Sequence, residues 1–222
     1  MTTASNLPRS GQQDAEAMIA EAKKAFWVMV GLLVVIWAVQ IFNALDGYAV
    51  FETGARARDI STLPAILFAP FIHTGWEHIE GNSGPLFIFG FLAAYRGVKK
   101  FFGVTLLIAM ASGLGAWFLS PSGLIGFGAS GLVMGFFGYV LVRGIFDRHK
   151  IDIVIGLVMA LCFAYQFASL FPQNELVSWQ AHLFGFLGGL VGGWVFRDRR
   201  PKPEVTAPAF PTVPLTPPDT LK

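Results

Sequence analysis

A run of 21 residues without a single charge, Ala25 to Leu45, constrains this chain more than any other feature. As an α-helix it covers about 30 Å, the thickness of the hydrocarbon core of a bilayer. The rest of the composition agrees: 54% of residues are hydrophobic, only 14% are charged, and the mean hydropathy is +0.58. A water-soluble domain carries about 25% charge and could not cover this much apolar surface. The residues before the run include Asp14, Glu16 and Glu21 and hold no apolar core of a secretory signal, so the run is read as retained. A net charge of +2 gives no footprint for nucleic acid, and the single cysteine, Cys162, excludes an intrachain disulfide framework.

Further apolar runs lie at about 82–95, 103–119, 129–146, 151–171 and 180–196, which predicts six spans in an all-α membrane protein. Residues 46–80 form a long, mixed first connection. With both termini on the cytoplasmic side, of 16 Lys and Arg residues only Arg56 and Arg58 fall on outer segments. That bias is what the positive-inside rule requires. Three parts follow: a polar, disordered cytoplasmic N-terminus (1–22), a membrane domain (23–198), and a cytoplasmic tail (199–222). After Arg200 the tail carries seven prolines in 22 residues, so it reads as extended and disordered. Arg143, Arg148 and Lys150 read as an anchor at the inner surface.

In this topology the second, fourth and sixth spans run from the outer face inward. His78 and Asn82, Ser130, and His182 then share one depth, just beneath the outer surface. Polar and ionisable groups at that depth are costly unless they face the bundle interior or a wet cavity. Ser130 sits in Gly126-Phe127-Gly128-Ala129-Ser130-Gly131, where Gly128 permits a sharp entry into a helix and Gly131 leaves space beside the hydroxyl. A serine at a helix start lies among unpaired backbone N–H groups, which favour a developing oxyanion. His182, Gly185 and Gly189 fall on one face of the sixth span, and Gly131, Gly135 and Gly138 on one face of the fourth. Small faces let helices approach closely in lipid. If these two meet, the imidazole comes within reach of the hydroxyl and can accept its proton. Glycine-rich packing without catalysis explains the same spacing. His78 and Asn82, spaced i, i+4, can both face that oxygen, or form a structural cap. His73 reads as a hydrogen-bonding residue of the outer loop. A zinc site from His73, His78 and His182 lacks any H-E-x-x-H pattern and leaves the serine unexplained. No metal and no other cofactor is called for.

Together these residues resemble the rhomboid family of intramembrane serine proteases. The likeness is carried by Phe71-Ile72-His73, His78-x-x-x-Asn82, Gly128-Ala129-Ser130-Gly131, Gly138-Tyr139-Val140 and Ala181-His182-x-x-Gly185-x-x-x-Gly189, in family order over roughly residues 25–197. The resemblance implies a six-helix rhomboid bundle with a long outer first loop. It makes Ser130 the nucleophile and His182 the general base of a dyad that forms an acyl-enzyme. His78, Asn82 and the Ser130 backbone N–H would form the oxyanion hole, with His73, Gly128, Gly131, Met134, Gly185 and Gly189 in support. It further implies residence in the cell membrane, an active site toward the outer face, and substrates that are transmembrane segments of membrane proteins. Two departures stand out. Met134 occupies the position where some members stack a tyrosine on the histidine, and the first loop reads Leu63-Pro64-Ala65-Ile66-Leu67-Phe68-Ala69-Pro70 in place of a Trp-Arg pair. A catalytically inactive rhomboid-like protein that binds or traffics membrane proteins is the alternative function.

Overall fold

The computed structural model describes residues 9–172 and 178–198, so the proline-rich tail lies outside the described residues. Six α-helices are present among them: α1 (Arg9–Leu45), α2 (Trp76–Ala94), α3 (Val98–Leu119), α4 (Ser130–Phe146), α5 (Lys150–Cys162) and α6 (Trp179–Val195). Two two-residue strands, β1 (Ala55–Arg56) and β2 (Ile125–Gly126), pair antiparallel and tie the α1–α2 connection to the segment that enters α4.

By length and hydropathy, α1 and α3 are long and apolar enough to cross a membrane. A third candidate combines α5 with the 3₁₀ segment Ala164–Leu170, the two being bent by 71°. This corrects the continuous helix expected over 151–171. The chain breaks at Phe163, whose ring packs edge-on against Phe89 at 4.8 Å, while Phe167 lies 5.3 Å from Phe137. Seating both rings on the α2–α4 core wins over continuing the helix. The first helix is also longer than expected. It starts at Arg9 and so includes most of the terminus read as disordered. Residues 12–24 are mostly Gln, Glu, Ala and Lys, strong helix formers, and Lys24 pairs with Glu21 at 2.7 Å one turn away.

Helix α4 is the hub. Every residue from Gly131 to Val140 is buried, a pattern that fits a helix apolar on all sides. Aromatic rings fill one side, with Phe101 stacked on Phe136 at 5.2 Å and Phe89 against Phe137 at 5.0 Å. On the other side glycines allow near contact with α6. A side chain on Gly185 would place its Cβ 2.3 Å from the Gly131 carbonyl oxygen. At the far end of the bundle, Arg143 corrects the reading of a surface anchor, since it is 1% exposed. Its guanidinium donates to the Leu92 carbonyl and, at 3.1 Å, to Asp152, which also accepts from Arg96 at 2.6 Å. This pairing joins α2, α4 and α5 around a buried carboxylate, the condition under which burying an arginine is tolerable.

Candidate active site

The opposite end of the bundle holds a cavity of about 790 Å³. Ser130, His182, His78, Asn82, Gly128 and Gly131 all line it, together with Ser112, Trp117 and Ala181. Residues from α2, α3, α4, α6 and the first connection therefore converge on one hollow. It is mostly apolar with a few convergent polar groups, the usual make-up of a small-ligand or catalytic site.

Ser130 is the first residue of α4. The helix ladder opens with the Val133 amide on the Ala129 carbonyl at 2.9 Å, so the N–H groups of Ser130, Gly131 and Leu132 precede it. The approach to the serine is held at two consecutive amides: Gly128 N–H donates to the Ala69 carbonyl at 2.9 Å and Ala129 N–H to His73 Nε2 at 3.2 Å. Gly128 has φ +95, and a Cβ there would lie 2.6 Å from the His78 ring. Only glycine accepts that conformation and that closeness together.

His182 is buried in the first turn of α6, whose start Ser178 caps by accepting from the Ala181 amide. Its Nδ1 lies 3.2 Å from the Ser169 carbonyl. A carbonyl accepts only, so Nδ1 carries the proton and Nε2 is left as the basic nitrogen. Among the described residues, no hydrogen bond joins Ser130 to His182. The asparagine is buried, and its Nδ2 donates to the His78 carbonyl at 2.9 Å, leaving one N–H of that amide for another acceptor. His78 Nδ1 lies 3.4 Å from the Thr74 hydroxyl.

A profile of the Rhomboid domain matches residues 61–199. The chain belongs to the rhomboid family. It is 32% identical over 186 residues to the uncharacterized protein Rv1337 of Mycobacterium tuberculosis, covering 78% of each chain. Its identity to the uncharacterized protein ML1171 of Mycobacterium leprae is 30% over 184 residues, 76% of this chain and 72% of the relative. Rhomboid-like protein 11, chloroplastic, of Arabidopsis thaliana is 32% identical over 146 residues, 57% of this chain and 50% of that one.

Other parts of this rhomboid site carry no sequence motif. Ser112 of α3 donates to the Ala181 carbonyl at 2.9 Å, and a Cβ on Gly131 would meet its hydroxyl at 2.1 Å. It thus wedges between the starts of α4 and α6. Ser169, beyond the break in α5, offers its carbonyl to His182 and its hydroxyl to the Met134 sulfur at 3.7 Å and the Gln166 carbonyl at 2.8 Å. Met134 is therefore engaged by the segment that carries the histidine's acceptor. Gly185 and Gly189 lie outside the cavity lining, at the α4–α6 contact.

His73 is fully buried. Burial first, and then the neighbouring His78, push its pKa from 6.5 down to about 4, while the Phe71 carbonyl pulls the other way. Its Nε2 must stay unprotonated to accept from Ala129. The unfolded chain takes up this proton near pH 6.5 and the folded one only near 4. Stability from this residue is therefore complete above the first value and drains away as the pH falls to the second. The loss is on the order of 3 kcal/mol. Thermal unfolding in detergent should show a midpoint that drops across this window, and His73→Gln should flatten the drop.

Proposed function

We propose that this rhomboid is an intramembrane serine endopeptidase that cleaves transmembrane segments of membrane proteins near the outer face. Ser130 is the nucleophile and His182 the general base. The observation that carries the reading is that the two line one cavity while the Ser169 carbonyl engages the histidine's other nitrogen. In that tautomer Nε2 accepts the hydroxyl proton as Oγ attacks the substrate carbonyl. The tetrahedral oxygen then collects hydrogen bonds from the Ser130 N–H, the spare Asn82 N–H and His78. Protonated His182 returns the proton to the leaving amine, and water hydrolyses the acyl-enzyme by the same steps in reverse. A helix crossing lipid has its peptide groups bonded internally, so the substrate unwinds before attack, and a polar hollow stabilises the freed groups. The reading includes six spans, both termini in the cytoplasm and no cofactor.

A fluorophosphonate probe tests it. Purified protein in detergent should acquire one phosphonyl adduct, located on Ser130 by mass spectrometry, and Ser130→Ala should acquire none. A folded wild type that stays unlabelled would turn the reading toward a non-catalytic rhomboid-like binder. Asn82→Ala should label at that same serine yet slow substrate turnover by about 10² to 10³, the usual effect of losing one oxyanion donor.

A further inference from the structure

The family match begins at residue 61, so α1 lies wholly outside it. Yet one side chain of α1 is wired to the segment that presents Ser130. Asn43 is fully buried. Its Nδ2 donates to the His73 carbonyl at 3.0 Å, and its Oδ1 accepts from the Phe51 amide at 3.2 Å. His73 is held from behind in this way, and its Nε2 accepts from the Ala129 amide at 3.2 Å. Ala129 is the residue before the nucleophile. The same ring meets His78 edge-on at 5.0 Å, so moving His73 disturbs both walls of the site.

We propose that Asn43 is a positioning residue, which through His73 fixes the peptide leading into Ser130 and makes α1 a working part of the site. The proposal rests on Ser130 being the nucleophile. A buried amide that meets two backbone groups on different turns is a poor choice for generic packing in lipid, where an apolar residue costs nothing to bury. Its geometric value lies in direction: hydrogen bonds set where His73 points, and His73 sets where the Ala129 N–H points. Helix α1 has a second attachment that avoids this path. Trp37 stacks on Trp76 at 6.2 Å and donates to the Ser83 hydroxyl at 3.1 Å. That attachment supplies a control for mere docking of the helix.

The test follows fluorophosphonate labelling of the full chain in detergent, with the limiting rate and the probe's half-saturation separated. Asn43→Leu should slow the limiting rate by between about 10- and 10²-fold, the scale of an ångström of misplacement, with half-saturation unchanged. Trp37→Phe should lower the thermal midpoint and leave labelling as it is. His73→Leu should behave like Asn43→Leu, whereas His73→Gln, whose amide oxygen can take the Ala129 N–H, should return to within about threefold of wild type. Should Asn43→Leu not fold, the two His73 variants decide. Equal rates in these two, wild-type labelling by Asn43→Leu, or an equal loss in Trp37→Phe would each overturn the proposal while the dyad reading stands. A wild type that does not label, in a protein that is folded, overturns both.

Discussion

Ser130→Ala is expected to abolish cleavage of a transmembrane substrate, with turnover falling by on the order of 10⁶, the scale seen when a serine hydrolase loses its nucleophile. The expectation has a structural counterpart. Among the described residues the Ser130 hydroxyl has no hydrogen-bond partner, so its removal leaves no group orphaned. The variant should therefore keep the wild-type thermal midpoint and helical content. His182→Ala should lose activity to a similar degree, but it also leaves the Ser169 carbonyl without its donor. A measurable fall in stability should accompany that loss. Cleavage is read by reconstituting the protein with a helical substrate in liposomes and separating products by mass. Turnover retained by a folded Ser130→Ala variant would remove the hydroxyl from the chemistry and with it the proposed mechanism.

The parts of this arrangement that could be read from the chain share a property: each is a residue type whose chemistry restricts its use. Ser130 between glycines, His182 before a glycine face, and His78 spaced four from Asn82 stand out because polar groups are scarce in these runs. The structure places all four at one cavity. What stayed hidden depends on backbone partners, which leave no mark on residue identity. Ser112 meets a carbonyl 69 residues away, and Asn43 one 30 residues away. Neither carbonyl could be singled out from a sequence. The helix limits failed where tertiary contact or local propensity opposed hydropathy. Aromatic seating of Phe163 and Phe167 broke the fifth run, and helix-forming residues carried α1 back to Arg9 past the polar boundary. Arg143 looked like an anchor because its partner Asp152 belongs to the next helix and its carbonyl acceptor at Leu92 to an earlier one.

Gly189→Ala is expected to damage the protein far more than one methyl group suggests. The added Cβ would lie 1.8 Å from the Gly135 oxygen, 2.7 Å from its carbonyl carbon and 2.8 Å from the Tyr139 nitrogen. All three atoms are backbone, so no side chain can swing aside. The helices α4 and α6 must part by roughly 1.5 Å or more to regain ordinary contact distance. Overfilling a close-packed contact commonly costs about 1–3 kcal/mol, which thermal unfolding in detergent would register as a lowered midpoint. The functional effect follows from where the strain goes. Ser130 begins one of these helices and His182 lies in the first turn of the other, and beside them α4 and α6 are again in near contact, a Cβ on Gly185 lying 2.3 Å from the Gly131 oxygen. Separation there should slow fluorophosphonate labelling by about 10²-fold. Gly192→Ala is the matched control, one turn further along the same helix. The atoms nearest its Cβ would be those of the Val104 and Leu107 side chains at 3.5–3.8 Å, ordinary contact, and alanine favours the helix by up to about 1 kcal/mol. That variant should be at least as stable as wild type and label normally. If Gly189→Ala matched it in both measurements, backbone contact between α4 and α6 would not be what sets the spacing of serine and histidine.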